Sequence, residues 1–281
     1  MNRLKMKQAL QQFFLEDIGE GDMSSQLIFS HDTYAIGTFV VKDDGVFSGA
    51  EVMKEAFRLL DETITVTLYK QDGDAVIKGD ILASVHGPII QLLSGERVIL
   101  NLTQRMSGIA TMTQKAVAAL QSDHTRICDT RKTTPGLRMF EKYAVTCGGG
   151  YNHRFGLYDG VMLKDNHIAG AGSITKAVAA VREKLGHMVK VEVETETKEQ
   201  VMEAIEVGAD VIMFDNRTPQ EVGAYCKLVP NGIITEASGG ITLDNLHEYG
   251  QTGVDYISLG MLTHSVKALD ISFNIEGGNK A

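Results

Sequence analysis

"VKVEVETETKEQVMEAIEVGADVIMFD", residues 189–215, contains one complete unit of the pattern that decides the fold. "VKVEVE" (189–194) alternates valine with charge, as a strand does. "TKEQ" (197–200) is a capping box that opens a helix, and "DVIMFD" (210–215) is a second apolar strand. With the valines packed on helices, Lys190, Glu192 and Glu194 fall on the opposite side, where buried carboxylates need partners.

The unit recurs on both sides, with a period in the twenties. Further strands are expected at "TRICD" (125–129), "GVMLK" (160–164), "GIITEA" (232–237) and "DYISLG" (255–260). "SITKAVAAVREKLG" (173–186) sets Ile174, Val178, Val181 and Leu185 on one helical face and stops at Gly186. "TPQE" (218–221) is a second capping box, with Pro219 at the first helical position. Repeated βα units give a parallel sheet, and this many point to a closed barrel. An open doubly wound sheet has the same alternation, but no G-x-G-x-x-G follows the first strand.

The first hundred residues differ. "YAIGTFVVK" (34–42), "TITVTLYK" (63–70) and "ILASVHG" (81–87) read as strands, and "GAEVMKEAFRLLDE" (49–62) as a helix, making a small α+β unit. "MNRLKMKQALQQFFLEDIG" reads as an amphipathic helix with Leu4, Ala9, Leu10, Phe13 and Phe14 on one side. "DGDAVIKGDILASVHG" has some flavour of a lipoyl domain, but Lys78 lies outside any Met-Lys-Met hairpin, and a structural hairpin is the better reading.

Composition narrows the function. The chain of 281 residues carries 27 Lys+Arg against 36 Asp+Glu, a formal charge of −9, which argues against nucleic acid or an anionic membrane as partner. No apolar run reaches the roughly 18 residues that span a bilayer, and no basic leader precedes an apolar core, so the expectation is a cytoplasmic protein. Three cysteines without a C-x-x-C pair indicate neither zinc nor a disulfide framework.

Charge is unevenly placed. From Arg97 to His167 there are ten Lys+Arg and five Asp+Glu, so this segment is +5 and the remainder −14. "DTRKTTPGLR" (129–138) alone holds Arg131, Lys132 and Arg138, and "GGGYNHRFG" (148–156) adds His153 and Arg154. Barrel active sites lie at the C-terminal ends of the strands. Those ends carry Thr130, Arg131 and Lys132, then Lys164 and Asp165, Glu194, Asp215 and Asn216, Glu236 and Ser238, and Gly260. Arg131, Lys132, Arg154 and Lys164 have few acids nearby in sequence, which points to a substrate with several negative charges. "EASGGITLDN" (236–245), with Thr242 expected to cap the next helix, and "SLGMLTHS" (258–265) are the loops of two late strands, where barrels often bind phosphate on backbone N–H groups. Glu194 and Asp215 could hold a divalent metal with a diphosphate, for which magnesium is suited, or face a cationic centre.

"DTRKTTPGLR", "GGGYNHRFGLYDGVMLKDNHI", "VEVE", "MFDN", "EASGGI" and "GMLTHS", in this order, resemble quinolinate phosphoribosyltransferases, as do "EDIGEGDMSS" (16–25) and "GERVILNLTQRMSGIAT" (95–111). The resemblance covers nearly the whole chain. It implies an N-terminal α/β sandwich domain (1–105), an incomplete, seven-stranded α/β barrel (106–267) and a tail (268–281) returning to the first domain. It implies transfer of the phosphoribosyl group of phosphoribosyl pyrophosphate to quinolinate with loss of CO₂, in de novo NAD biosynthesis. Arg131, His153, Arg154 and Lys164 would grip the dicarboxylate, and Arg97 would reach in from the partner subunit of a homodimer or of a hexamer. Lys132, Glu194 and Asp215, with Lys164, would be catalytic. Glu194 and Asp215 would face Mg²⁺ mainly through diphosphate and water, with no organic cofactor required. Thr130, Ser238, Gly239, Gly240, Leu259, Gly260 and Met261 would complete the substrate site. Ser24 and Ser25 stand where threonine is common in the family, and Met261 where alanine is usual. Two other readings of the residues alone are a Schiff-base lysine at Lys164 and a non-catalytic dicarboxylate-binding protein, which would have no use for the two glycine loops.

Overall fold

The computed structural model describes residues 1–276. The chain begins α1 (Arg3–Ile18), α2 (Met23–Ile28), β1 (Tyr34–Val41), β2 (Gly45–Val46), α3 (Ala50–Leu60), β3 (Thr65–Leu68), β4 (Ala75–Val76) and β5 (Ile81–Pro88). The long helix α4 (Ile89–Leu120) leads to β6 (Arg126–Cys128), α5 (Arg138–Cys147), β7 (Val161–Leu163), α6 (Asp165–Ala171) and α7 (Ile174–Arg182). Regular alternation follows: β8 (Val191–Thr195), α8 (Lys198–Glu206), β9 (Val211–Asp215), α9 (Pro219–Cys226), β10 (Ile234–Ser238), α10 (Leu246–Gly250), β11 (Tyr256–Ser258) and α11 (Met261–His264). Strand β12 (Ile271–Glu276) comes last.

Two compact units result. One comprises residues 1–112, 134–149 and 265–281, the other 113–133 and 150–264. The expected boundary at 105/106 and this division at 112/113 both fall inside α4, a continuous helix that carries the chain from one unit to the other. The expected barrel domain also gives up residues 134–149, with α5, to the first unit. The three cations of "DTRKTTPGLR" part company: Arg131 and Lys132 belong to the second unit, Arg138 to the first.

The first unit is built on an antiparallel sheet in the order β12-β1-β5-β3. Burial along β1 alternates, with Ala35, Phe39 and Val41 inside. Helix α3 buries Val52, Met53, Ala56 and Phe57. In α1 the buried stripe is Met6, Leu10 and Phe14, spaced four apart; Leu4, expected on that face, is 80% exposed. Strand β12 pairs along β1 from Val41↔Ile271 to Ile36↔Glu276, and residues 277–281 of the expected tail lie outside the described residues. Gly37 permits this: a Cβ there would stand 2.1 Å from the Phe273 ring. Phe273 in turn packs 4.6 Å from Phe39 and 6.5 Å from Phe57, ring centre to ring centre.

The second unit holds six parallel strands in the order β6-β11-β10-β9-β8-β7. The seventh strand is reduced to a single bridge, Tyr151 to Cys128 on the outer side of β6. Side chains replace the ladder there, for Asp129 accepts from Asn152 Nδ2 at 2.6 Å and from the His153 N–H at 2.9 Å. The sheet is rolled. His153, two residues beyond that bridge at one edge, reaches Glu192 of β8 at 3.0 Å, and Arg154 donates to the Gly160 carbonyl, next to β7 at the other edge, at 2.8 Å. Both capping boxes form, Thr197 with Gln200 and Thr218 with Glu221. Helix α7 ends at Arg182, a turn before Gly186. Thr242 caps no helix; its N–H donates to Asn245 Oδ1 at 2.8 Å within a turn ahead of the short α10.

Phe273→Ala should remove the ring that joins β12 to the sheet core and destabilise the protein by about 3–5 kcal/mol, read from urea unfolding.

Candidate active site

The C-terminal ends of the parallel strands open into a cavity of about 860 Å³. Of the residues expected there, Thr130, Arg131, Lys132, His153, Arg154, Lys164, Glu194, Asp215, Ser238, Gly239 and Gly240 line it. Leu259, Gly260 and Met261 do not reach the wall. Leu259 is 2% exposed and its N–H pairs with the Cys128 carbonyl at 3.0 Å, while Met261 begins α11. At Gly260 a Cβ would stand 3.0 Å from Lys132 Cδ, so glycine gives the lysine stem its path. Arg97 belongs to the first unit, on α4, with its side chain 59% exposed and 3.7 Å from Glu96.

Each side chain is set by its backbone. Thr130 Oγ1 accepts the Lys132 N–H at 3.0 Å, and Thr263 Oγ1 donates to the Lys132 carbonyl at 2.8 Å. Arg154 is anchored by its bond to Gly160, with Nη2 3.6 Å from Met162 Sδ. Burial, together with the positive charge of Arg131, lowers the Arg154 pKa from its ordinary value. The expectation that Lys164 lacks an acidic partner fails, because its ammonium is paired with Glu194. That pairing joins the ends of neighbouring strands β7 and β8, a proximity that sequence spacing hides. Burial raises the Glu194 pKa, the Lys164 contact opposes this, and Asp215 and Glu192 add to it.

Below the cavity the acids are deeper. Glu192 is 6% and Glu236 4% exposed, and both face the His153 ring. Burial, reinforced by Glu192, raises the Glu236 pKa to about 7. Lys190, expected to face inward with Glu192, is exposed and lines a second cavity of about 290 Å³ that also touches Glu192, Glu236, His153 and Arg154.

Other wall residues were missed as site residues. Met162, Met213 and Ser258 sit inside strands, Ile168 and Ala169 in α6, and Glu196 and Gln200 around the start of α8. Gln200 carried a signal only as a capping residue. Asn216 holds φ +54°, and its N–H donates to the Ser238 carbonyl at 2.8 Å. Gly239 lies against it with φ +86°, where a Cβ would stand 2.2 Å from Asn216 Oδ1.

Rolled parallel strands whose C-terminal ends bring several cations and a glycine turn into the wall of one cavity define an α/β-barrel enzyme acting on a polyanion. The family profile "Quinolinate phosphoribosyl transferase, N-terminal domain" matches residues 22–107, and that of the C-terminal domain residues 109–274. The chain belongs to the quinolinate phosphoribosyltransferase family. It is 59% identical over 281 residues, covering 100% of this chain and 97% of the relative, to the probable nicotinate-nucleotide pyrophosphorylase (carboxylating) of Bacillus subtilis strain 168. The structure of NadC from Streptococcus pyogenes is similar at 40% identity and a TM-score of 0.94, covering 99% of this chain and 98% of that one. That of the nicotinate-nucleotide pyrophosphorylase from Francisella tularensis is similar at 34% identity and a TM-score of 0.93, covering 98% of each chain.

Gly239→Ala should clash with Asn216 and strain the backbone. We expect kcat/KM to fall about a hundredfold while the melting temperature stays within a few degrees of wild type; a fall in stability alone would show that this turn is only structural.

Proposed function

We propose that the enzyme joins the pyridine nitrogen of quinolinate to C1 of phosphoribosyl pyrophosphate, releasing diphosphate and then CO₂ to give nicotinate mononucleotide for de novo NAD synthesis. The observation that carries this is the cavity itself, with Arg131, Lys132, Arg154 and Lys164 in its wall and the Ser238-Gly239-Gly240 turn beside them. A planar dicarboxylate suits arginine, whose fork makes two parallel hydrogen bonds to a carboxylate. Arg131 and Arg154 fill that role. Lys164, a mobile point charge held by Glu194, exchanges that acid for a substrate carboxylate. Backbone N–H groups of the Ser238–Gly240 turn face the phosphate.

As the nitrogen attacks C1, the bond from C1 to the diphosphate oxygen breaks and the ribose gains oxocarbenium character. The carboxylates of Glu194 and Asp215 stabilise that positive charge, and Lys132 stabilises the leaving diphosphate. When the C2–carboxylate bond breaks and CO₂ leaves, its electron pair stays on C2, stabilised by the positive charge of the adjacent nitrogen, and C2 then takes up a proton. Glu194 and Asp215, half-buried oxygen donors at the ends of adjacent strands, fit a magnesium ion bound through diphosphate and water. Magnesium, when bound, neutralises diphosphate charge. Nothing in this sequence of bonds needs an organic cofactor.

Arg97 completes the site from the second subunit of a homodimer, each subunit lending its arginine to the other. Among the described residues no helix is long and apolar enough to cross a membrane, consistent with our reading of a cytoplasmic enzyme.

Purified protein supplied with quinolinate, phosphoribosyl pyrophosphate and Mg²⁺ should release CO₂ and nicotinate mononucleotide in equal amounts; no product from folded protein would remove the proposal. Arg97→Ala and Lys164→Ala should each be nearly inactive, yet co-refolded mixtures should recover activity through the one intact site of each heterodimer. Mixing that restores nothing despite proven subunit exchange would place Arg97 outside the shared site.

A further inference from the structure

Glu194 and Asp215 stand at the ends of neighbouring strands, and the charge of Asp215 acts on Glu194. Like charges placed in this way turn apart unless each is held. Lys164 holds Glu194. Asp215 has no ion pair among the described residues; its carboxylate Oδ2 accepts from Asn216 Nδ2 at 2.8 Å. Consecutive side chains of a strand point to opposite faces. The left-handed turn at Asn216, φ +54°, is what swings the amide back to the side of Asp215.

That turn is held from several directions. The Asn216 N–H donates to the Ser238 carbonyl at 2.8 Å, Arg217 Nε to the Asp215 carbonyl at 3.0 Å, and the buried Tyr249 hydroxyl to the Arg217 carbonyl at 2.8 Å. An uncommon backbone conformation persists where its surroundings fix it like this, and such places cluster at functional sites. Asparagine is among the few side chains that enter the left-handed region readily. Gly239 leaves the room: a Cβ there would stand 2.2 Å from Asn216 Oδ1. The amide also has only one sensible orientation, since its oxygen would repel the carboxylate that its nitrogen binds.

We propose that Asn216 is a positioning residue that ties the acid at the end of β9 to the Ser238–Gly240 turn after β10. Its amide occupies one oxygen of Asp215 and fixes the rotamer, so that the other oxygen meets the ribose and the hydration shell of magnesium. Its backbone holds Ser238 at the start of the phosphate turn. One residue thereby sets the spacing between the groups that meet the two ends of phosphoribosyl pyrophosphate. This rests on the reading of the cavity as the site of that substrate.

Three variants separate the amide from the turn. Asn216→Gly keeps the left-handed backbone, which glycine adopts freely, and deletes the amide. It should lower kcat about tenfold, the worth of one hydrogen bond to a charged group. Asn216→Asp also tolerates that backbone but sets a carboxylate beside Asp215, and kcat should fall about a hundredfold. Asn216→Ala loses the amide and strains the turn, so it should lose stability as well. Binding supplies a readout independent of turnover. Calorimetry with phthalate, a dicarboxylate without the nucleophilic nitrogen, in the acceptor site should show magnesium phosphoribosyl pyrophosphate binding about tenfold more weakly to Asn216→Gly than to wild type. Quinolinate alone should bind both within about twofold. A crystal structure of Asn216→Gly should show the Asp215 carboxylate in a new rotamer on an unmoved 215–217 backbone. If Asn216→Gly keeps kcat and binding within about twofold while Asn216→Ala loses them, or if the carboxylate does not move, the amide positions nothing and the proposal is overturned. Wild type that neither turns over nor binds phosphoribosyl pyrophosphate overturns the functional reading instead, and the crystal structure alone then decides the positioning.

Discussion

Fixed positive charges gathered around one cavity repel each other, and the second unit is organised to hold them there before any substrate arrives. The backbone carries much of this load. The Gly160 carbonyl accepts from Arg154, Thr130 and Thr263 pin the Lys132 main chain, and Gly260 clears the path of the lysine stem. The lowered pKa of Arg154 records the strain of burial beside Arg131. One carboxylate, Glu194, offsets part of this charge by pairing with Lys164. On the proposed reading, a substrate bearing two carboxylates relieves the repulsion in the cavity.

The roll of the sheet makes this gathering work. Cations that lie between ten and 33 residues apart, at the ends of β6, of the Tyr151 segment and of β7, converge because the two edges meet through His153 and Arg154. Beneath them lie the buried carboxyl groups of Glu192 and Glu236, both facing the His153 ring.

Much of this was legible in the sequence. The six strands and both capping boxes announced themselves because alternation and capping are local chemistry, and the strand-end rule picked out Arg131, Lys132, Lys164, Glu194 and Asp215. What failed was what depends on distance in space. The Lys164–Glu194 pair joins residues 30 positions apart on neighbouring strands. The His153 contacts need the rolled sheet. The division of the chain ignores sequence order, since residues 134–149 return to the first unit. The closeness of Gly260 to the Lys132 stem was likewise not legible, because the two are 128 positions apart in the chain.

Calorimetric titration of the protein with quinolinate, and then with its two single-carboxylate analogues, nicotinate and picolinate, tests the account most directly. If the cations form one dicarboxylate clamp, quinolinate should bind about thirtyfold more tightly or better than either analogue, the worth of one charge-assisted pair at roughly 2 kcal/mol. Affinities equal within about twofold would mean that the second carboxylate meets no cation, and the clamp would not exist.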